Sequence, residues 1–409
     1  MKRRIWMAMV MAGCMAAMSP MAVYGAETTE EAPAAEPSEA TQAEGTSGAG
    51  EEALSDDIYS FQLDIDGTKY QFPMSYSDFT AQGWELSKYD DPEMKVGTNS
   101  YGMVGFLKGD TSIRADVINF GINEVPLSEC LVGGITIDGS FSDVDLSKTI
   151  VTLPKGIVMG KATLDEVKAA YGEPSDTYEG DNYTKLTYEK EIYQDVELYI
   201  YKEGGTLKQV SFRNFSVPED FDKGSVSTEV PEIVTAYQAP EAPSETFMEP
   251  VVEYFGDLYQ LPAPVSAFEE NGWVLLDVSE DAYVEGRGIE FIEMMKENQT
   301  VRFSIYNLTE NAVAVRNCFV EDLEHATYDP EIISMKLSGG IALGAEKSDL
   351  IALAEQNGYT YEDDTEDGYL TIYKNKETKL EHNLTVWFDK EKSETAAAHL
   401  TMHNEVLPE

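Results

Sequence analysis

The sequence predicts an α+β fold of two tandem repeated domains, each mainly antiparallel sheet with short helices packed on it. Three observations predict it. The first is repetition. Gly67-Thr68-Lys69-Tyr70-Gln71-Phe72-Pro73 leads to Phe79 and Gly83-Trp84-Glu85-Leu86, and Gly256-Asp257-Leu258-Tyr259-Gln260-Leu261-Pro262 leads to Phe268 and Gly272-Trp273-Val274-Leu275. Eight residues recur in twenty positions at an offset of 189, and self-similarity on that scale sets architecture. The second is alternation of apolar and polar residues, the signature of half-buried strands. The third is one short, well-punctuated helix in each repeat.

The first repeat, 57–216, opens with Tyr59-Ser60-Phe61-Gln62-Leu63-Asp64-Ile65, an alternating strand. Asp66-Gly67 is a tight-turn pair, and Lys69 to Phe72 returns as the partner strand. Ser77 to Gln82 predicts a short helix, with Gly83 supplying a left-handed end and Trp84 dropping into the core. Met103 to Leu107 and Ser112 to Phe120 flank Lys108-Gly109-Asp110 as a hairpin. Thr163-Leu164-Asp165-Glu166 is a capping box, Val167 and Tyr171 share a helix face, and Gly172 and Pro174 stop the helix. Thr184 to Tyr188, Val196 to Tyr201 and Leu207 to Phe212 read as three antiparallel strands, the last two joined by Gly204-Gly205. The second repeat, 250–407, keeps that order. Val301 to Tyr306 is a strand, Asp349 to Gln356 a helix ended by Gly358, and Tyr369 to Tyr373, Leu384 to Phe388 and His399 to Asn404 are strands.

Residues 1–26 read as a signal peptide: Lys2, Arg3 and Arg4, an apolar run from Ile5 to Met18, Pro20, then small Gly25 and Ala26. The run is short for a membrane span. Met11-Ala12-Gly13-Cys14 resembles a lipobox, the alternative reading, which would put a lipid on Cys14 and give the only membrane attachment. Residues 27–56 are acidic and lack large apolar side chains, so they are expected to be a disordered linker. Residues 217–249 form a second linker, stiffened by prolines. The expected location is extracellular or the cell envelope.

The chain of 409 residues carries 75 acidic and 29 basic residues, a formal net charge of −46. Such a surface repels phosphate, which argues against nucleic acid and anionic membrane as partners. Cys14 lies in the signal segment. Cys130 and Cys318 fall one in each repeat, so no disulfide forms within a repeat. Each reads as a small buried core residue, with a bridge between repeats as the alternative.

Gly160, Thr163, Glu166, Val167, Tyr171, Gly172 and Pro174 together resemble a known run. It is the Gly-x-x-Thr-x-x-Glu-Val-x-x-x-x-Gly-x-Pro of SmpA/OmlA-like and β-lactamase-inhibitory-protein-like modules. The resemblance covers about 150–215, and more weakly 335–405. There Gln356-Asn357-Gly358 replaces the Gly-x-Pro ending and Lys347 replaces Thr163. It implies small α+β units in secreted and envelope proteins, associated with protein binding rather than catalysis, and it carries over no partner-contacting residue.

His399 and His403 lie four apart, but on the strand expected there they stand about 13 Å from each other, too far to share an ion. Asp363-Asp364-Thr365-Glu366-Asp367-Gly368 resembles the start of a calcium loop, yet Lys374 occupies the position of the bidentate glutamate, so it reads as an acidic turn. Gly-x-Ser-x-Gly and phosphate-loop patterns are absent from the sequence, and the first repeat has no histidine. No catalytic, cofactor-binding or metal residue is assigned. Tyr188, Tyr193, Tyr199 and Tyr201 form a candidate recognition face, since tyrosine offers large contact area at low entropic cost. The expected function is a non-catalytic binding or scaffold protein for a protein or envelope component. The alternatives are a secreted hydrolase-type enzyme without a readable motif and an acidic module responsive to divalent cations.

Overall fold

The structure is a computed structural model that describes residues 53–141, 143–326, 334–377, 379–388 and 395–405. The expected signal peptide, Cys14 and most of the 27–56 segment lie outside them. Antiparallel sheets dominate, with a few short helices. Among the described residues, no helix is long and apolar enough to cross a membrane.

The chain divides into two compact units. Unit 1 falls within Met1–Phe72, Lys108–Ile113 and Ile135–Asn214, and unit 2 within Pro73–Leu107, Arg114–Gly134 and Phe215–Glu409. Unit 2 thus combines residues of both expected repeats.

Unit 1 begins with the hairpin read from the sequence. Gln62–Ile65 pairs with Thr68–Gln71, and the turn between them holds Asp66 at φ 52° and Gly67 at φ 82°. Two left-handed residues in a row give the turn whose twist matches the strands, which explains the Asp-Gly pair. Val151–Leu153 and Ile157–Val158 complete a four-stranded sheet. The helix Leu164–Tyr171 follows, and both halves of its capping box are made. Thr163 N donates to Glu166 Oε2 at 2.9 Å, and Glu166 N donates to Thr163 Oγ1 at 3.4 Å. Val167 is fully buried. One turn on, Tyr171 donates its hydroxyl to Pro154 O at 2.6 Å. Asp176–Glu179, Tyr183–Glu191, Gln194–Tyr201 and Thr206–Asn214 then form an antiparallel run in chain order. Its inner face is apolar. Leu186, Val196, Leu198, Val210 and Phe212 show no exposed area, and each such side chain contributes about 1.5–3 kcal/mol by leaving water.

Unit 2 contains the helix Tyr76–Ala81, and Ser75 caps its first turn by accepting from Asp78 N at 3.0 Å. Gly83 sits at φ 92°. Trp84 is buried, stacked 5.7 Å from Phe79. Later in this unit the helix Val265–Glu270 is followed by Trp273, buried against Tyr254, Phe255 and Phe303. Asp257–Gln260, Val251–Tyr254, Met335–Leu337 and Ile341–Ala342 form a four-stranded sheet whose order matches the small sheet of unit 1. The proline-bearing segment ends in buried Phe247 and Met248. His382 Nε2 lies 2.7 Å from Met248 O.

Two buried asparagines organise the loops of unit 2. Asn119 Nδ2 donates to the carbonyls of Val96, Gly97 and Asn123 at 3.0, 3.1 and 2.7 Å. Asn307, 188 positions later, donates to Val284, Glu285 and Asn311 at 3.1, 2.8 and 2.8 Å. Each side-chain oxygen faces a donor in turn, Gly121 N for Asn119 and Thr309 N for Asn307. Cys130 and Cys318 are buried free thiols. Burial, helped by Glu129 and Glu290 respectively, pushes both up to about 12, so they rest as protonated core groups.

The strand Leu131–Asp138 is unbroken, whereas its sequence counterpart is split into Phe319–Val320 and Asp322–Ala326. The break falls at Glu321, where the first repeat has Gly133. A β-carbon added to Gly133 would meet the Phe215 ring at 2.8 Å, so a side chain there cannot coexist with that packing.

Replacing Asn119 with alanine takes the side-chain donor from three carbonyls, whereas at Asn307 Glu285 O keeps Gly288 N at 2.9 Å and Asn311 O keeps Thr309 Oγ1 at 2.8 Å. We expect Asn119→Ala to lose about 3 kcal/mol in a urea titration and Asn307→Ala to lose less, about 1–2 kcal/mol, and Asn→Asp to lose more than Asn→Ala at neutral pH because a carboxylate then faces those carbonyls. A loss below about 1 kcal/mol would show that the clasps are dispensable.

Candidate functional site

Each large sheet buries one face, so the opposite face is where a site can be displayed. In unit 1 the register pairs Tyr183 with Tyr201, Lys185 with Tyr199, Thr187 with Glu197 and Tyr178 with Lys185. Side chains alternate along a strand, so these residues share the face opposite the core. Tyr183 stands 5.2 Å from Tyr199 and 5.7 Å from Tyr201, with Tyr178 6.1 Å beyond. Tyr178 is exposed and the other three are half-buried. Two of the hydroxyls are held in place. Tyr199 donates to Glu197 Oε2 at 2.8 Å, and Tyr201 lies 3.4 Å from Gln209 Oε1.

The charges on this face are paired. Lys185 Nζ meets Glu197 Oε1 at 2.6 Å, and Arg213 Nη1 lies 3.9 Å from Asp195 Oδ1. Burial raises the Tyr199 hydroxyl, and the Glu197 carboxylate that accepts its bond raises it further. Burial also acts to raise Glu197, but hydrogen bonds from Lys185 and Tyr199 outweigh it and leave that carboxyl lowered. The result is a rigid aromatic patch in a charge-balanced frame, able to stack on or pack against a partner.

Of the four tyrosines read from the sequence, only Tyr199 and Tyr201 belong to this patch. Tyr188 points the other way: it is 1% exposed, packs on Tyr171, and donates to Gly172 O at 3.1 Å. Its even number in the strand puts it with Leu186 on the core side. Tyr193 sits at φ 60° in the turn after Glu191, about 25 Å along the hairpin from Tyr183 by strand rise. Tyr178 and Tyr183 were missed. The signal for them was the strand register, which chain proximity does not reveal.

Unit 2 has a comparable face. Asp322–Ala326, Ala397–Asn404, His382–Phe388, Tyr369–Tyr373 and Thr360–Asp364 form a five-stranded antiparallel sheet. One row across it reads Tyr369, Trp387, His399, the next Thr371, Thr385, Thr401, Glu324, and the third Tyr373, Asn383, His403, Asp322. Trp387 stacks on His399 at 4.4 Å and 22°. His399 Nε2 lies 3.2 Å from Glu324 Oε2, and His403 Nδ1 lies 3.5 Å from Asp322 Oδ1. The two histidines thus stand on a strand as expected, each with its own carboxylate. Trp387 pairs across the ladder with His399 as Tyr199 does with Gln209.

Where the split strand parts from Gln299–Tyr306, a cavity of 260 Å³ opens, lined by Tyr254, Arg302, Ser304, Asp322, Glu324 and Thr401 among others. In the Asp363–Gly368 segment, Asp363 and Asp364 end one strand and residues 365–368 turn the chain into the next. Asp364 Oδ1 accepts from Glu366 N and Asp367 N, and Asp363 pairs with Lys347. Among the described residues, no group of three or more His, Cys, Asp or Glu side chains is arranged to hold a metal ion.

No family model matches the chain, and no curated protein or solved structure gives a significant match.

The His403 pair makes unit 2 pH-sensitive. Its hydrogen bond with Asp322 raises the imidazole, burial opposes this, and the charges of Asp322, Glu321 and Glu405 raise it further. A group raised on folding stabilises the fold below its unfolded pKa of 6.5, and that contribution is lost as pH climbs through the folded value. Urea midpoints measured from mildly acidic to alkaline pH should therefore fall as pH rises, and His403→Gln should flatten that slope. An unchanged slope in the variant would remove His403 as the cause.

Proposed function

We propose that this chain is a secreted or cell-envelope, non-catalytic binding or scaffold protein built from two duplicated modules. The proposal takes the modules as similar to the β-lactamase-inhibitory-protein-like class, with a protein or envelope component as target. Each module presents the outer face of its main sheet to that target. The observation that carries the reading is the placement of aromatic rings, the Tyr199 cluster and Trp387, at matching ladder positions on the faces turned away from the two cores.

Several features support it. An outer sheet face needs only polar side chains for solubility, so clustered rings there call for another explanation. Aromatic residues held by hydrogen bonds give contact area at little entropic cost. Duplication is supported by the two small sheets of matching order and by the two asparagine clasps at a shared offset. Cys130 and Cys318 are protonated core groups rather than activated nucleophiles.

The test is affinity capture from envelope and secretome extracts with the full chain, beside Tyr199→Ala and Trp387→Ala variants. A genuine target should be depleted about tenfold by at least one substitution, a loss typical of an interface aromatic. If everything captured by the wild type is retained equally by the double variant, the sheet faces are not the binding surface.

A further inference from the structure

A second surface of unit 2 lies apart from the sheet faces. Segment 91–95 and the loop Tyr306–Glu310 line a groove of 730 Å³. Its lining includes the apolar side chains of Met94, Ile289 and Leu308. Ile289 is 57% exposed, and Phe291, two residues along the same strand face, is 58% exposed. The apolar surface of the groove therefore continues onto open sheet.

The charged lining is unbalanced. Its two cations are engaged: Lys95 pairs with Glu310, and Arg287 Nε lies 3.3 Å from Glu124 Oε2. Asp91, Glu93 and Glu405 also line it, and none of them has an ion pair among the described residues. Main-chain bonds tie the surrounding segments together. Glu124 N donates to Glu310 O at 2.8 Å and Gly286 N to Ile122 O at 2.9 Å. The groove is thus preformed, and a ligand does not have to organise it.

We propose that this groove docks an extended peptide segment of a partner protein that alternates basic and aliphatic side chains. The carboxylates of Asp91, Glu93 and Glu405 supply charge complementarity for its cations. Met94, Ile289, Leu308 and the adjoining Phe291 cover its aliphatic side chains, which a purely ionic ligand lacks. The net charge of −46 draws such a segment in over longer range. This site is independent of the aromatic sheet faces.

The experiment is fluorescence anisotropy of a labelled peptide alternating lysine and leucine, titrated with the full chain. Saturable binding should weaken about tenfold in an Ile289→Ser/Phe291→Ser variant and in an Asp91→Asn/Glu93→Gln variant. All four side chains are exposed, so these variants should keep the wild-type melting curve. An Asp176→Asn/Glu189→Gln variant removes the same charge from exposed positions of unit 1 and should bind as the wild type does. Equal weakening by the groove and control charge variants would mean general attraction to an acidic protein and would overturn the proposal. So would a lysine-only peptide or spermine binding as tightly as the mixed peptide, or the absence of saturable binding.

Discussion

One-sided burial of antiparallel sheet is the constraint on which the rest of this molecule depends. A strand alternates its side chains between two faces, and only one face can be packed into a core. Within 183–188 and 195–201, the residues at even positions are buried and those at odd positions face outward. The same rule sorts Leu370, Ile372, Leu384, Val386, Leu400 and Met402 into the core of unit 2. Their strand neighbours Tyr369, Trp387 and His399 go to the other side. Core and candidate site are therefore written in one stretch of sequence, interleaved residue by residue. A shift of one position in register would exchange them.

Loops that connect such sheets carry main-chain carbonyls that no ladder satisfies. Asn119 and Asn307 solve this in the same way, each donating to three carbonyls from within the protein. A buried carbonyl without a partner costs far more than a made hydrogen bond gains, so one side chain ties two backbone segments together, 96–97 with 123 and 284–285 with 311. The groove of unit 2 follows from this. Its wall residues neighbour the clasp around Asn307, and main-chain bonds such as Glu124 N to Glu310 O hold them. A rigid, acidic, partly apolar surface results where a loosely held loop would have collapsed.

The elements whose physics is local were legible in the sequence. Asp66-Gly67 forms its turn, Thr163 and Glu166 close their capping box, and Trp84 and Trp273 fill cores just after glycines that end a turn of helix. The candidate recognition face was legible only in part. Tyr188, Tyr193, Tyr199 and Tyr201 are neighbours in the chain, but parity sends Tyr188 inward and the turn carries Tyr193 away. Tyr183 joins Tyr199 and Tyr201 from the adjacent strand because the hairpin register brings them opposite. Trp387 and His399, twelve positions apart in the chain, stack only because their strands pair.

Sequence by itself determined what nearest neighbours along the chain decide: the strand and helix segments, their caps and turns, the acidic charge, and which residues recur at a fixed offset. Tertiary structure alone decided which strands lie side by side. That choice assembled Tyr178, Tyr183, Tyr199 and Tyr201 on one face, parted the strands Phe319–Val320 and Asp322–Ala326 at Glu321, and grouped Asp91, Glu93, Ile289 and Glu405 around one groove. The physical reason is that pairing and packing depend on distances across strands and loops, and those distances carry no period that a linear reading can detect.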